Sequence, residues 1–424
     1  MGFGGGGGNG SIANGTDVAL SNPTNNQVLT YDSSVQKWRN ATSSSLIQPI
    51  PVSTFAGSTA DARLSAALAY AATQPDGYTP TIQLNEFDAS YSSTQTIFNG
   101  MKLVGPNIVT KFNNEVSGVN PFRVKFTGSG TWFSGSGTNY NVTIGGFTAV
   151  CTNGLGTFLT HSGLKESQLL GVQLQNWKYC LGTPTSFLAL TDCDIIGPWT
   201  INAGANTNGA GPQICITGSD NQLWVAGSLN IGAGGSSAAF NGQGQPLAIF
   251  KTGKTVYGPM YFTAKNGWYA MNLQGDLTSY VGNTMTGVRA EGQNTTTPSD
   301  GAVVIVEDGA WALRDCNFNY GMDDTATANA TTVQSGTGMT SPRNDRGMIQ
   351  INNGRVIVDG PTYDRTSGKS VTVPLVCLAD GTLSIRDAGT GAKGGTWGAS
   401  KPVVRNLAGA SALTADSSVT VTTS

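Results

Sequence analysis

The chain has 424 residues, a net charge of −2 and only 11% charged residues, whereas glycine occupies 58 positions. No block of basic residues is present, which excludes the charge pattern of a protein that binds nucleic acid or an anionic membrane surface. No apolar run reaches transmembrane length and no secretory signal pattern opens the chain. We therefore expect a protein that assembles in a cytoplasm and does not insert into a membrane. The 38% of hydrophobic residues are arranged in alternation, which predicts an all-β fold with many tight turns rather than a disordered chain.

The first 45 residues are predicted to form an attachment and oligomerisation module. Residues 1–10 are mostly glycine and cannot hold one conformation without a partner. Residues 11–45 are too few for a hydrophobic core of their own, so their apolar side chains need a partner surface. Those side chains belong to Val18, Leu20, Val28, Leu29, Tyr31 and Trp38. Residues 46–57 contain Pro49 and Pro51 and are predicted to form a linker.

The assignment to a virion comes from a resemblance. Residues 17–41, DVALSNPTNNQVLTYDSSVQKWRNA, resemble a short module found near the N-termini of many bacteriophage tail fibre and minor tail proteins. The shared features are an Asp-Val start, a Pro-x-x-x-Gln-Val-Leu-x-Tyr centre and a Lys-Trp end. The resemblance implies a protein of the phage tail, assembled in the host cytoplasm as a homotrimer and joined to other tail proteins. A short module that needs partner strands fits that oligomeric state.

Residues 58–74 are rich in alanine and are predicted to form the one clear helix of the chain. Leu64, Leu68 and Ala71 share one face of it. A strand and then a Gly-x-x-Leu-x-Gly strand at 100–105 follow within residues 58–110, a layout that resembles the entry of pectate-lyase-like right-handed β-helices in phage tailspikes. A β-helix ends in unpaired backbone groups, so we expect this amphipathic helix to cap one end.

A short pattern recurs three times in the C-terminal half, around Gly309, Gly354 and Gly381. Apolar residues stand five and three positions before each glycine, and two and four positions after it. This period of two about an Asp-Gly or Asn-Gly corner predicts the stacked coils of a parallel β-helix over residues 111–424, and the resemblance to tailspike β-helices implies a right-handed one. The spacings of 45 (354 − 309) and 27 (381 − 354) residues predict two coils and then one. The residues predicted to point inward in columns are Val304, Val306, Trp311, Leu313, Ile349, Ile351, Val356, Val358, Val376, Leu378, Leu383 and Ile385.

The alternative is a set of β-hairpins, because Asp-Gly between alternating apolar runs is a strong hairpin signal. A second recurrence, Leu190-Thr-Asp-Cys-Asp-Ile195 and Leu313-Arg-Asp-Cys-Asn-Phe318, favours the β-helix, in which identical slots of successive coils hold similar side chains. The pattern blurs between residues 229 and 300. Residues 321–346 are polar and are predicted to form one long loop.

The six cysteines are scattered and lack CxxC spacing, which argues against a zinc site or any other metal. They are predicted to be free, buried thiols, with disulfides as the alternative. Thr252-Gly-Lys-Thr255 resembles the end of a phosphate-binding loop, but Ala248 stands where that loop needs its first glycine. The glycine-rich run at 389–394 is not followed by a helix-forming segment, which a dinucleotide-binding loop requires. No cofactor is therefore predicted.

The sequence offers little catalytic chemistry. His161 is the single histidine, no G-x-S-x-G elbow accompanies it, and it is predicted to be a turn histidine. Polysaccharide cleavage by a glycosidase would require two carboxylates. No pair stands out, so the sequence favours binding without turnover. The candidate catalytic carboxylates are Glu291, Asp300, Asp323 and Asp324, with Glu307, Asp308 and Asp345 as further acidic residues in the same region.

Four aromatic residues within thirteen positions are candidates for glycan binding, since sugar rings stack on exposed tyrosine and tryptophan faces. They are Tyr257, Tyr261, Trp268 and Tyr269. The alternative is that these rings pack between coils or subunits.

The sequence therefore predicts a phage minor tail protein or tail fibre that attaches to the virion through its N-terminus and contacts host surface glycans through its β-helix. Two alternatives stay open. One is a tailspike depolymerase that cleaves host envelope polysaccharide, and the other is a virion decoration protein that does not bind the host.

Overall fold

The computed structural model describes residues 18–19, 27–32, 37–42, 48–74, 79–106, 122–197, 199–202, 212–223, 229–232, 246–265, 269–275, 282–293, 303–320, 348–365, 375–388, 392–393, 403–417 and 419–423. The chain forms two compact units, Met1–Ile50 and Pro51–Ser424. The boundary between them falls within the predicted linker at residues 46–57.

The N-terminal unit contains a three-stranded sheet of β1 (Val18–Ala19), β2 (Gln27–Asp32) and β3 (Lys37–Thr42). Strand β3 is central, pairing parallel with β1 and antiparallel with β2. The register aligns Val18 and Tyr31 with Trp38 in one row across the sheet. The Trp38 side chain is 41% exposed. Leu20 lies outside the described residues.

The second unit consists of short strands, one helix and two 3-10 turns. Its helix α1 spans Ala60–Ala72, and the 3-10 turns span Val52–Thr54 and Ala410–Ala412. Its first strands are β4 (Ile50–Pro51), β5 (Thr81–Gln83), β6 (Ser90–Tyr91), β7 (Gln95–Thr96), β8 (Lys102–Val104), β9 (Arg123–Phe126), β10 (Thr131–Gly135), β11 (Asn139–Tyr140), β12 (Thr143–Gly145), β13 (Thr148–Cys151), β14 (Thr157–His161), β15 (Leu164–Lys165), β16 (Gln168–Leu170), β17 (Gln173–Gln175), β18 (Tyr179–Leu181), β19 (Leu188–Thr191), β20 (Asp194–Ile196) and β21 (Trp199–Asn202).

The later strands continue the same pattern of short segments. They are β22 (Ile214–Ser219), β23 (Gln222–Leu223), β24 (Leu229–Gly232), β25 (Pro246–Gly253), β26 (Val256–Tyr257), β27 (Met260–Lys265), β28 (Tyr269–Gln274), β29 (Asn283–Thr286), β30 (Arg289–Gln293), β31 (Val304–Val306), β32 (Ala310–Arg314), β33 (Asn317–Tyr320), β34 (Ile349–Ile351), β35 (Arg355–Asp359), β36 (Thr362–Arg365), β37 (Val376–Leu378), β38 (Thr382–Arg386), β39 (Ala392–Lys393), β40 (Val404–Asn406), β41 (Leu413–Ala415) and β42 (Val421–Thr422).

These strands form three long parallel sheets, and successive coils pass through them in the order I, II, III. Sheet I has 13 strands in the order β4-β5-β8-β12-β16-β20-β23-β26-β29-β32-β35-β38-β41. Sheet II has 11, in the order β6-β9-β13-β17-β21-β24-β27-β30-β33-β36-β39. Sheet III has 15, in the order β7-β10-β14-β18-β22-β25-β28-β31-β34-β37-β40-β42, with β11, β15 and β19 pairing in turn onto β22. The fold is therefore the predicted parallel β-helix, not a set of hairpins.

The predicted inward columns are confirmed. Strands β31, β34 and β37 align Val304 with Ile349 and Val376, and β32, β35 and β38 continue the same alignment on sheet I. All twelve predicted residues are at most 2% exposed. Because β31 pairs directly with β34, Gly309 and Gly354 are one coil apart, so the prediction of two coils in this interval is wrong. The extra length belongs to the chain between β33 and β34, where the predicted loop lies outside the described residues.

The recurring glycines occupy the corner between sheets III and I. Gly309, Gly354 and Gly381 have φ angles of 87°, 113° and 84°, in the left-handed region that L side chains rarely adopt. The corners also stack closely. A Cβ atom at Gly354 would lie 2.7 Å from the carbonyl oxygen of Gly309, and one at Gly381 would lie 2.3 Å from that of Gly354. Both the turn and the stacking therefore select glycine.

The two Asp-Cys motifs do not occupy identical slots, which corrects that prediction. Cys193 follows the corner between sheets III and I, whereas Cys316 follows the corner between sheets I and II. The motifs share a local turn instead. In each, the aspartate is left-handed, with φ of 52° at Asp192 and 49° at Asp315. The next cysteine then donates its S–H to the carbonyl two residues earlier, over 3.2 Å in Cys193 and 3.3 Å in Cys316. All six cysteines are free and buried, as predicted.

Helix α1 begins at a Thr59 cap, whose hydroxyl oxygen accepts the amide of Ala62 at 3.1 Å. The predicted face is buried, and the helix packs on β5 and β6, the first strands of the coil that it covers. Ser65 also bonds Gln95 of β7 at 3.3 Å. The helix therefore caps the first coil, as predicted. Among the described residues, no helix is both long and apolar enough to span a membrane.

Candidate functional site

The predicted catalytic carboxylates are not brought together within the described residues. Asp300, Asp323 and Asp324 lie outside them, as does Asp345. Glu291 lies in β30 on sheet II, where the register aligns it with Asn319 of β33 and, one coil further, with Asp364 of β36. Two strand spacings separate the Cα atoms of Glu291 and Asp364 by about 9–10 Å.

The predicted aromatic glycan surface is not assembled either. Tyr257 is fully buried in β26 of sheet I, with its ring centre 5.0 Å from that of Phe250, and its hydroxyl bonds Thr252. Tyr261 lies on sheet II, where the Arg289 guanidinium stands 5.1 Å from its ring centre. Tyr269 lies on sheet III and is 1% exposed. Three different sheets hold these tyrosines, two of the rings are buried, and Trp268 lies outside the described residues.

His161 has a structural role. It closes strand β14 rather than lying in the predicted turn, and it is buried. The Gly163 amide donates to its Nδ1 at 2.9 Å, so the ring proton is on Nε2, which donates to the Asn139 side-chain oxygen at 2.7 Å. Burial lowers the pKa of this histidine, which keeps it neutral. Its described partners include no serine and no carboxylate.

Asp88 and the side chains of Arg123 and Lys125 form an ion cluster at the start of sheet II. Lys125 bonds one carboxylate oxygen of Asp88, and Arg123 bonds the other at 2.7 Å. The hydrogen bond from Lys125, followed by that from Arg123, holds the pKa of Asp88 below its usual value. Both carboxylate oxygens are occupied, so the cluster joins β9 to the turn before β6 and offers no open site.

A group that the sequence did not single out lies on the outer face of sheet III. The burial of β25 alternates, with Phe250 inside and Lys251 exposed, and the register places Asn272 and Gln274 of β28 on the outward side with Lys251. Glu307 follows β31 beside Gln274, and its amide donates to the carbonyl of Leu273 at 2.8 Å. We call the group the polar strip. Its members are Tyr269, Asn272, Gln274, Glu307, Gln350 and Asn352.

One hydrogen-bond network joins the polar strip. Glu307 is its centre, with one carboxylate oxygen accepting from the Asn272 amide at 3.2 Å and the other from the Asn352 amide at 2.8 Å. Asn272 also donates to the Tyr269 hydroxyl and accepts from Gln274, both at 2.9 Å. Gln350 donates to the Asn352 oxygen at 3.1 Å. The amide groups are thus held in fixed orientations around one carboxylate.

The polar strip has hydrogen-bond acceptors to spare. A carboxylate offers about four lone-pair sites, and the network uses two of those on Glu307. Gln350 is 3% exposed, and its side-chain oxygen has no partner in the part of the chain that the structure describes. Glu307, Gln274 and Asn352 are half-buried, so the network is open to solvent along one column. The strip can therefore accept hydrogen bonds from a ligand that carries hydroxyl groups.

The sequence does contain a signal for this site. Asn272 and Gln274 stand two positions apart in one strand, and Gln350 and Asn352 repeat that spacing two coils further on. Amides at outward positions of strands whose inward positions are apolar mark a polar outer face. Glu307 was among the acidic candidates, but its partners lie 35 and 45 residues away, and only the coil register brings them together.

The comparisons with known proteins leave the function open. No protein-family model and no curated protein sequence matches the chain. Among solved structures, ORF18 of Geobacillus virus E2 matches with a TM-score of 0.45 and 11% sequence identity, over 92% of this chain and 68% of that chain. A likeness this distant supports no conclusion about activity or partners. Within the described residues, no group of three or more histidine, cysteine or acidic side chains could hold a metal ion.

Proposed function

We propose that this protein is a minor tail protein or tail fibre of a bacteriophage. Its N-terminal module would join the virion, and its β-helix would contact glycans on the host surface. The observation that supports the attachment role most directly is that β1, β2 and β3, the described strands of the segment that resembles a tail-fibre module, form a sheet distinct from the three sheets of the β-helix.

That sheet needs a partner. A sheet of three short strands is marginal in water unless an apolar face is covered. The row formed by Val18, Tyr31 and Trp38 is the apolar feature of this sheet, and Trp38 is substantially exposed. We propose that other tail proteins and two further copies of this chain, in a homotrimer, cover the row.

The β-helix supports the glycan-binding part of the proposal. It presents a long, weakly charged surface on which consecutive coils repeat polar side chains in register, and the polar strip is the best-connected of these surfaces. Hydroxyl-rich ligands such as glycans suit a surface built from amides, a tyrosine and a carboxylate.

The two roles can be tested with one pair of proteins. A variant lacking residues 1–45 should keep the circular dichroism spectrum of a β-protein and bind host cells, yet fail to enter the particle. The full chain should do both. Normal incorporation of the shortened variant would refute the attachment role, and a full chain that never binds host cells would leave only the decoration role.

A depolymerase is the second candidate, and one observation favours it. Glu291 and Asp364 occupy one column of sheet II two coils apart, so the register places two acidic residues on the same face, and glycoside hydrolysis uses a pair of carboxylates. Release of reducing ends from host polysaccharide by the full chain, abolished by Glu291→Gln, would establish cleavage. Binding without such release would assign the protein to the adhesins.

A further inference from the structure

We infer that the polar strip is a subsite for uncharged glycans, which donate hydroxyl hydrogen bonds to Glu307, and that it discriminates against acidic polysaccharides. This inference rests on the proposed contact with host glycans and names both the site and the ligand class.

The strip has the layout of a ligand groove along the β-helix axis. Gln274, Glu307 and Asn352 come from three consecutive coils and form a half-buried outward column, one side chain per coil. The spacing of neighbouring strands is about 4.8 Å, so the column presents polar groups over about 10 Å. Asn272 and Gln350 are buried behind it and hold its members in place. The surface is therefore ordered before any ligand binds, which lowers the entropic cost of binding.

Hydrogen-bond chemistry suits a ligand that both donates and accepts. Both N–H groups of Asn272 are used, one on Glu307 and one on Tyr269, whereas Gln274, Gln350 and Asn352 each use one N–H within the strip. The strip keeps lone pairs on the Glu307 carboxylate and the oxygen of Gln350 as acceptors, and one N–H of each of those three amides as a donor. Sugar hydroxyls donate to such acceptors and can also accept from neighbouring amides. An unpartnered buried acceptor destabilises the empty site, so a hydroxyl that reaches Gln350, directly or through a water, gains an additional interaction.

Charge selects against acidic ligands. Glu307 is followed by Asp308, whose carboxylate accepts the Gly275 amide at 2.6 Å and so stays beside the column. Asp380, two coils from Asp308, adds a carboxylate at the same corner. Among the described residues of this outward column, the basic one is Lys251, which lies beyond Gln274 and two coils from Glu307. A uronate, sulfate or phosphate group placed at Glu307 would meet like charge, and the described side chains that bond Glu307 are both uncharged amides.

The test uses the full chain on an array of defined oligosaccharides in three groups: neutral hexoses, N-acetylhexosamines, and uronic acid or phosphate-bearing sugars. The unmodified protein should bind members of the first two groups and not the third. Glu307→Gln keeps the side-chain shape but removes the charge, and should weaken binding about ten- to a hundredfold. Glu166→Gln makes the same charge change at an exposed corner several coils away and should leave affinity unchanged.

The outcomes separate the two proposals. An unmodified chain that binds neither the array nor host cells refutes glycan contact itself. Binding that Glu307→Gln alters no more than Glu166→Gln refutes the strip and leaves glycan contact standing elsewhere. A preference for the acidic group also refutes the inference. If Glu307→Gln lowers the unfolding temperature, its binding loss could reflect destabilisation, and Gln274→Ala is then used as the test variant instead. Within the described part of the chain, the side chain of this half-buried amide bonds Asn272 alone, and its removal should lower affinity severalfold.

Discussion

Replacing Gly354 by alanine should destabilise the β-helix through two separable effects. The φ of 113° is in the region where an L side chain costs about 1–2 kcal/mol. The new Cβ would also lie 2.7 Å from the Gly309 carbonyl oxygen in the next coil. The three nearest atoms are all backbone atoms of Asp308 and Gly309, so no flexible side chain can move aside. The corner must shift instead, and such overpacking costs about 1–3 kcal/mol. The combined loss is roughly 2–5 kcal/mol.

Two matched variants separate these effects. Gly137 has a φ of 75° but nothing within 4 Å of its Cβ position, so Gly137→Ala should show the backbone strain alone. Gly253 also has open space and no left-handed φ, so Gly253→Ala should be near neutral. Denaturant midpoints rank the three variants by their loss of unfolding free energy. Amide hydrogen exchange in β32, β35 and β38 shows which coils are destabilised, because coils of a solenoid lose stability locally. If Gly354→Ala loses no more than Gly137→Ala, close stacking of the corners is not what selects glycine.

Three further predictions concern the core. Ile349→Ala, at a fully buried inward position, should lose about 2–5 kcal/mol of unfolding free energy, and the half-buried outward Ile357→Ala clearly less; equal losses would contradict the assigned faces. Because burial puts the folded pKa of His161 below its ordinary 6.5, its contribution to stability is complete above pH 6.5 and is lost as pH falls towards the folded pKa. Urea midpoints between pH 7.5 and 5 should therefore decline, and His161→Gln should flatten that decline. A thiol reagent should label no cysteine in the native chain and all six in denaturant; rapid labelling of the native protein would contradict their burial.

The sequence predicts the fold well where alternation is strong. Around Gly309, Gly354 and Gly381 the apolar period identifies the inward columns, because side chains of a strand alternate between faces whatever the sheet they join. The same pattern fails to count coils. Residues inserted between β33 and β34 lengthen one coil without disturbing the register on either side, so the spacing of 45 residues covers a single turn.

The candidate site could be predicted only in part. Glu307 was visible as a carboxylate beside a corner, but nothing in a linear sequence shows that Asn272 and Asn352 flank it. Proximity in sequence was misleading for the tyrosines. Tyr257, Tyr261 and Tyr269 are close along the chain, yet each coil distributes such a segment over three sheets. In a β-helix, residues of one functional surface are separated by whole coils, whereas neighbours in sequence diverge around its perimeter.

The two Asp-Cys motifs show how a local signal can be correct in chemistry and misleading in location. A left-handed aspartate followed by a small buried residue turns the chain and satisfies a carbonyl with the cysteine S–H. Nothing in that turn depends on which two sheets it joins, so it serves the corner before sheet I at Cys193 and the corner after sheet I at Cys316. Corner motifs therefore report turn geometry, and only the strand register assigns a residue to a face. The strand register, not a corner motif, places the amides of the polar strip on the outer face. The site is therefore visible only when the coils are stacked, and no single motif predicts it.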